Sequence, residues 1–264
     1  NELLTGKVDS KIDSNKPNDN PNITILEWLN KQSGYQGKVA AFGSWDVFPA
    51  IINRTRCGVP INAGFESADW AGLSDKAQWL NTLQAQVPSP WHNVRLDAFT
   101  LGFTKEYILA HQPKVIYVAL GETDDFAHQG NYPEYLRGAN RADKFIAQLW
   151  TLLQSIEQYQ DNTNLIITVD HGCGNTAQSW QHHASPKAVK GYLNGLKQYQ
   201  DGIPGADQIW LAAMGPEVNK SVAIQQPQHF TLDQVAATAV QLLGFDYQQF
   251  ATDIGQPLPI VKQR

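Results

Sequence analysis

Two stretches of the sequence decide the fold: residues 114–130 read KVIYVALGETDDFAHQG, and residues 165–172 read LIITVDHG. Each begins with a continuous apolar run, which is typical of a strand buried on both faces of a sheet. Each run is followed by a carboxylate and an imidazole side chain, namely Asp124 with His128 and Asp170 with His171. The carboxyl ends of parallel strands converge on one crevice where ligands bind. The pattern therefore predicts a ligand site at this edge of a parallel sheet.

Helical periodicity separates the two apolar runs. Over residues 132–159 apolar side chains recur at three- and four-residue steps, and Pro133 falls in the first turn, where proline is tolerated. Further helices are predicted at residues 23–32, 76–86, 98–111 and 232–243, and further strands at residues 38–42 and 208–213. Alternating strands and helices predict an α/β fold with a largely parallel central sheet and helices on both faces. We expect one domain over residues 1–264, with residues 185–205 as a possible insertion or cap.

Composition narrows the class of protein. The chain has 264 residues, of which 42% are hydrophobic and 17% charged, as expected for a folded globular protein. Its apolar runs all fall short of the roughly 18 residues that a membrane-spanning helix needs. The net charge of −5 gives no electrostatic reason to expect nucleic acid as a partner. A small phosphate ester remains a possible substrate, because bound metal ions would reverse the local charge.

The paired side chains indicate a metal site. Carboxylate oxygen and imidazole nitrogen form a mixed ligand set that suits zinc and is acceptable to manganese or iron. A single Asp-His-Gly is a weak signal, because a histidine after a strand is more often a hydrogen-bonding loop residue. Two such pairs, each after a predicted strand, favour metal binding over that simpler interpretation.

The motifs Asp124-x-x-x-His128-x-Gly130 and Thr168-Val-Asp170-His171-Gly172, in this order, resemble those of the alkaline phosphatase superfamily. The resemblance is closest to the branch of type I phosphodiesterases and nucleotide pyrophosphatases. Residues 209–216, IWLAAMGP, resemble the strand that precedes the last helix in that branch. The resemblance covers most of residues 1–250 and implies the alkaline phosphatase-like fold.

The resemblance implies two divalent metal ions, with zinc preferred and manganese or iron as alternatives. Asp124 and His128 would hold the first ion together with a later histidine, for which His182, His183 and His229 are candidates. His183 is predicted, because it is followed by a small residue and precedes residues 209–216. Asp170 and His171 would hold the second ion, together with an earlier aspartate and a Ser or Thr nucleophile.

The resemblance places that nucleophile about ten residues before the glycine of a Thr-Gly pair, which here is Thr5–Gly6. The position falls before Asn1, so the catalytic residue is unknown and residues 1–264 alone are expected to be inactive. Thr5 itself is the alternative nucleophile. The resemblance also implies a periplasmic or secreted protein.

Other functions remain open at this level. The substrate is expected to be a small phosphodiester or phosphomonoester, but a catalytically inactive relative and a sulfatase-type hydrolase are alternatives. The sulfatase Cys-x-Pro-x-Arg signature is not met by Cys57-Gly-Val-Pro60, which has a different spacing. A dinucleotide-binding oxidoreductase would need a Gly-x-Gly-x-x-Gly turn after a strand, and the sequence has none. Two cysteines exclude a disulfide scaffold, and free thiols are predicted for Cys57 and Cys173, with one disulfide between them as the alternative.

Overall fold

The chain is described by a computed structural model over residues 1–220 and 229–262. It divides into two compact units. Residues 15–152 form one, called here the three-strand unit. Residues 1–14 and 153–264 form the other, called the two-strand unit. The expectation of one domain with an insertion at residues 185–205 stays a prediction.

The described residues contain ten α-helices and five strands. In chain order they are α1 (Glu2–Thr5), α2 (Ile25–Asn30), β1 (Val39–Gly43), α3 (Phe48–Ile52), α4 (Arg54–Cys57), β2 (Ile61–Ala63), α5 (Asp75–Gln86), α6 (Asp97–His111), β3 (Val115–Ala119), α7 (Glu122–His128), α8 (Tyr132–Gln154), β4 (Leu165–Thr168), α9 (Pro186–Gly191), β5 (Leu211–Met214) and α10 (Asp233–Leu242). Short 3-10 helices cover Asn194–Leu196 and Tyr247–Gln249. The mixed α/β class predicted from the sequence is confirmed.

The three-strand unit is built on a parallel sheet with the strand order β2-β1-β3. Val39 lies opposite Val115, and Ala41 lies opposite Ile61, so all three strands run in the same direction. All five residues of β1 are buried, as its apolar sequence requires. β3 is an edge strand of this sheet and its residues are partly exposed, so the prediction that it is buried on both faces is wrong. The predicted parallel sheet is confirmed.

The core of this unit lies where β1 meets α5 and α6. Buried side chains from these elements form one cluster, whose members include Phe42, Leu80, Phe99, Phe103 and Tyr107. Aromatic rings meet edge to face, with ring centroids 5.4 Å apart for Phe42 and Tyr107. Such pairs add stability beyond the burial of their apolar area. This packing fixes α6 against the sheet and thereby fixes the position of its first residue, Asp97.

The two-strand unit pairs β4 with β5 in the antiparallel sense, with Leu165 opposite Met214 and Thr168 opposite Leu211. Helix α1 packs against α10. Residues 184–206 form a smaller apolar cluster of their own around Ala184, Val189 and Ile203. β4 thus ends just before Asp170 and supplies the fixed element from which the Asp170–His171 segment leaves.

The predicted elements are found, with shifted ends. The long helix stops at Gln154 instead of residue 159, and a bond from Ile156 N–H to the Leu153 carbonyl, 3.2 Å, continues the chain as a tighter turn. Strand β5 begins three residues later than predicted. Residues 122–128, for which the sequence pattern predicted neither a helix nor a strand, form α7. The described residues include no helix long and apolar enough to cross a membrane. Cys57 and Cys173 are free thiols, as predicted.

Candidate metal centre

The first donor pair lies on one face of α7. Asp124 and His128 are four residues apart, a spacing that places side chains next to each other on a helix. The Asp124 Oδ2 and His128 Nε2 atoms are 3.4 Å apart, and both side chains are 44% exposed. This exceeds the usual 2.7–3.2 Å of an N–H···O hydrogen bond. It matches the roughly 3.3 Å between two donor atoms on a tetrahedral zinc ion with bonds of about 2.0–2.1 Å.

The two neighbouring carboxylates in the first turn of α7, Asp124 and Asp125, lie in different electrostatic environments. Burial, assisted by the adjacent Asp124 carboxylate, raises the pKa of Asp125 to about 6. Asp124 itself is half-exposed and lies in the first turn of the helix, where the helix dipole favours a negative charge.

The second donor pair follows β4. His171 Nδ1 lies 2.9 Å from the Gly172 carbonyl oxygen, which can only accept a hydrogen bond, so Nδ1 carries the proton. In the neutral ring the other nitrogen, Nε2, then presents its lone pair. Nε2 is 3.7 Å from Asp170 Oδ2. A lone pair and a carboxylate this close repel each other, and a cation bound between them would relieve the repulsion. The same Nδ1–H to carbonyl arrangement orients histidine ligands in metalloproteins.

The glycine of the Asp-His-Gly motif has a packing role. The Gly172 N–H donates to the Ala206 carbonyl, 2.9 Å away. A Cβ atom at residue 172 would overlap the backbone oxygens of Gly205 and Gln208. Backbone atoms cannot turn aside as the end of a flexible side chain can, so only glycine fits here. The contact fixes the peptide that accepts the His171 hydrogen bond.

Gly172→Ala is therefore expected to destabilise the protein by roughly 3 kcal/mol, the upper range for inserting a methyl group into a packed site. The measurement is the free energy of unfolding from urea denaturation. Gly191→Ala is the matched control in the same unit, since a Cβ at Gly191 meets nothing within 4 Å. Equal stability of the two variants would contradict the packing role of Gly172.

His183 lies against His171. The two imidazole rings are stacked with centroids 3.6 Å apart and planes 14° apart. Their ligand nitrogens lie within 4.8 Å of each other. A bond of 2.9 Å from Gly174 N–H to the His182 carbonyl closes the intervening loop. The hydroxyls of Thr176 and Ser179, 2.7 Å apart, brace its turn. The closed loop therefore brings His183 back against His171, which lies twelve positions earlier in the sequence.

The other histidine candidates differ in their surroundings. His182 donates its backbone N–H to the Ser179 carbonyl, 2.9 Å away, and so takes part in the loop turn. His229 is exposed. Thr5, the alternative nucleophile, is buried, and its hydroxyl lies 3.1 Å from the Asn1 carbonyl and 3.2 Å from the Lys7 carbonyl. The structure therefore brings together Asp124 with His128, and Asp170 with His171 and His183, each group within one unit.

Sequence reasoning missed two buried charged residues, Asp97, which contacts the start of α7, and the nearby Arg95. Asp97 and Arg95 lie in a segment without any recognised motif, yet both are buried with several hydrogen bonds. Charged residues are rarely buried unless paired, so the structure reveals a network that composition does not. The only local signal for this network is the position of Asp97 directly before an apolar helical pattern. That position is typical of any helix start and does not indicate a special role.

The mixed α/β structure with its parallel three-strand sheet is consistent with the alkaline phosphatase-like fold. Comparison of the sequence with known families adds the particular branch. Residues 13–223 match the family described as type I phosphodiesterase / nucleotide pyrophosphatase, and the chain belongs to that family. The comparison with curated proteins found no match to the chain.

Proposed function

We propose that this protein is a two-metal-dependent hydrolase of phosphate-type esters, acting on a phosphodiester or a phosphomonoester. Family membership supports hydrolysis of a phosphate ester. The observation that carries metal dependence is the arrangement of His171, whose Nδ1–H bond to Gly172 leaves Nε2 as the acceptor, 3.7 Å from Asp170 Oδ2. Asp124, His128 and His183 are proposed to bind one ion, and Asp170 and His171 the other.

The donors fit divalent metal ions by chemistry and by spacing. Imidazole nitrogen and carboxylate oxygen together favour zinc, with manganese or iron as alternatives. The Asp124–His128 distance of 3.4 Å is that of two donors sharing one ion, and the helix presents both toward the same side. When bound, two ions would supply positive charge to the phosphate oxygens and activate the attacking and leaving oxygens.

The chain's own residues have defined tasks in this proposal. The Gly172 carbonyl holds the Nδ1 proton of His171 and so fixes which tautomer faces the site. The stacked His183 ring restricts rotation of His171 about its side-chain bonds. The carboxylates of Asp124 and Asp170 would repel an anionic ester without bound cations, so substrate binding depends on prior metal binding. The burial and backbone contacts of the Thr5 hydroxyl argue against Thr5 as the nucleophile.

The test is an assay of the full-length protein on three chromogenic substrates: bis-p-nitrophenyl phosphate, p-nitrophenyl phosphate and p-nitrophenyl sulfate. We expect hydrolysis of a phosphate ester that falls at least a hundredfold after chelation and dialysis. Adding back Zn²⁺, Mn²⁺ or Fe²⁺ is expected to restore activity and to identify the preferred ion.

Each alternative gives a different result in the same assay. Full activity after chelation would contradict metal dependence. Hydrolysis of the sulfate alone would assign the protein to sulfatase-type chemistry. Metal binding without turnover of any of the three esters would identify an inactive relative.

A further inference from the structure

Helix α7, which carries Asp124 and His128, cannot hold its own start in place. It has seven residues, and isolated helices shorter than about 12–15 residues are marginal in water. Its N-cap residue is Gly121, which has no side chain to accept a hydrogen bond from the first turn. If the helix frays, the two donors of the pair separate, because their proximity depends on the helical spacing of four residues.

A side chain at the cap position would crowd its neighbours. A Cβ atom at Gly121 would lie 2.8 Å from the Val94 Cγ1 atom and 3.4 Å from the Ser44 Cβ atom. The first distance is shorter than real Cβ contacts allow, so a serine or aspartate cap at this position would displace its neighbours. The start of α7 therefore needs an acceptor from another element.

The Asp97 side chain, at the start of α6, supplies this acceptor. Its Oδ1 accepts from the Gly121 N–H at 2.8 Å, and its Oδ2 accepts from the Glu122 N–H at 3.2 Å. Glu122 returns the contact, since its Oε1 accepts from the Asp97 N–H at 3.0 Å. The starts of the two helices thus cap each other reciprocally across 25 positions of sequence.

We propose that Asp97 is a positioning residue that holds the Asp124–His128 pair in the arrangement that receives a metal ion. The inference rests on the proposed function and extends it to a residue that does not touch the ion. Asp97 acts through the backbone of Gly121 and Glu122, not through a side chain of the donor pair.

A buried network keeps the Asp97 carboxylate in this position. The Ser44 hydroxyl donates to Asp97 Oδ1 at 2.5 Å and also contacts the Thr100 hydroxyl at 2.8 Å. On the far side of Glu122, the Arg141 guanidinium donates to its Oε2 at 2.9 and 2.6 Å. The two oxygens of the Asp97 carboxylate thus accept three hydrogen bonds, which an ionised carboxylate can do because both of its oxygens are acceptors. Burial raises the pKa of Asp97 to about 6, so the group is mainly ionised at neutral pH.

The test compares Asp97→Asn with the wild type in the full-length protein. An asparagine has the same shape but presents an NH₂ group in place of one oxygen, so one backbone N–H at the start of α7 faces a donor. Co²⁺ is the probe, with the dissociation constants measured by competition with a chromophoric chelator and the ligand geometry by visible absorption. Hydrogen exchange at residues 121–128 of the metal-free protein provides a second readout.

The matched control is Glu106→Gln on the same helix. Glu106 is also buried, and its carboxylate binds Ser74 and Lys76 instead of α7. The same change from carboxylate to amide there perturbs stability without touching the donor pair. If Asp97→Asn does not fold, Ser44→Ala is used, since it removes the hydroxyl that holds Asp97 and leaves both helix caps intact.

Asp97→Asn is expected to weaken one of the two Co²⁺ sites at least about tenfold, the lower range for residues that orient metal ligands. It should also accelerate exchange over residues 121–128, while Glu106→Gln changes neither readout. Ser44→Ala is expected to weaken the same site at least threefold. If Asp97→Asn, or Ser44→Ala where that variant is needed, bound Co²⁺ as tightly as the wild type, the role of Asp97 would be overturned. The proposed function would not be affected by that result. Absence of Co²⁺ binding by the wild type would overturn the proposed function as well.

Discussion

Replacing His183 by alanine is expected to reduce bound metal and activity together. The ring lies 3.6 Å from that of His171, and the proposed first site would keep only Asp124 and His128 of its three protein donors. Because even residues that merely orient ligands change metal affinity 10–100-fold, the loss of a ligand should exceed a hundredfold. The measurements are the metal content after dialysis and the kcat/KM of the full-length protein on the phosphate ester that it hydrolyses.

Two other histidines provide matched controls. His182→Ala changes the neighbouring ring, and His229→Ala changes an exposed one. Both variants are expected to keep at least half of the metal content and activity of the wild type. A His183→Ala variant that keeps both, together with a loss of both in His182→Ala or His229→Ala, would assign the ligand to that other residue.

Arg95→Met is expected to lower the free energy of unfolding by about 3–5 kcal/mol, because each buried acceptor left without a partner costs about 1–3 kcal/mol. Arg95 has no exposed surface and donates to the Thr100 hydroxyl at 2.8 Å and to Asn62 Oδ1 at 2.7 Å. Burial lowers the pKa of Arg95 to about 9, so its guanidinium stays protonated at neutral pH. Methionine fills part of the volume but supplies none of the donors. Urea denaturation followed by circular dichroism measures the loss.

The control for this prediction is Arg54→Met, the same substitution at a partly exposed arginine. Arg54 binds Glu66 through two contacts of 2.6 and 2.7 Å, but its side chain is 42% exposed. Ion pairs in contact with solvent contribute about 0–1 kcal/mol, so the expected loss is below about 1 kcal/mol. Losses of similar size in the two variants would show that burial of Arg95 does not set the strength of its contacts.

Much of the fold follows from local sequence. The apolar runs predict β3 and β4, and the three- and four-residue periodicity predicts α8, because both patterns depend on neighbouring residues and the geometry of one element. The ends are less well predicted, since turns such as the one after Gln154 compete with the last helical bonds. Helix α7 was missed because its polar sequence, ETDDFAH, has no apolar stripe, and external contacts at Gly121 and Glu122 hold it instead.

The candidate site also has features that the sequence predicts and features that only the tertiary structure shows. The residue types and their order along the chain already select Asp124, His128, Asp170 and His171 and the family to which the chain belongs. The His171 tautomer, by contrast, depends on the direction of one peptide carbonyl. The requirement for Gly172 depends on backbone atoms more than thirty positions away.

The sequence by itself thus determined the α/β class, the order of strands and helices and the chemical identity of the proposed metal donors, because these are properties of short segments. Only the tertiary structure decided that β4 pairs with β5 in the antiparallel sense, that His183 stacks on His171 and that Asp97 caps α7. Each of these depends on the path of the chain between distant residues. That path is set by the packing of the whole unit, which no local pattern of residues encodes.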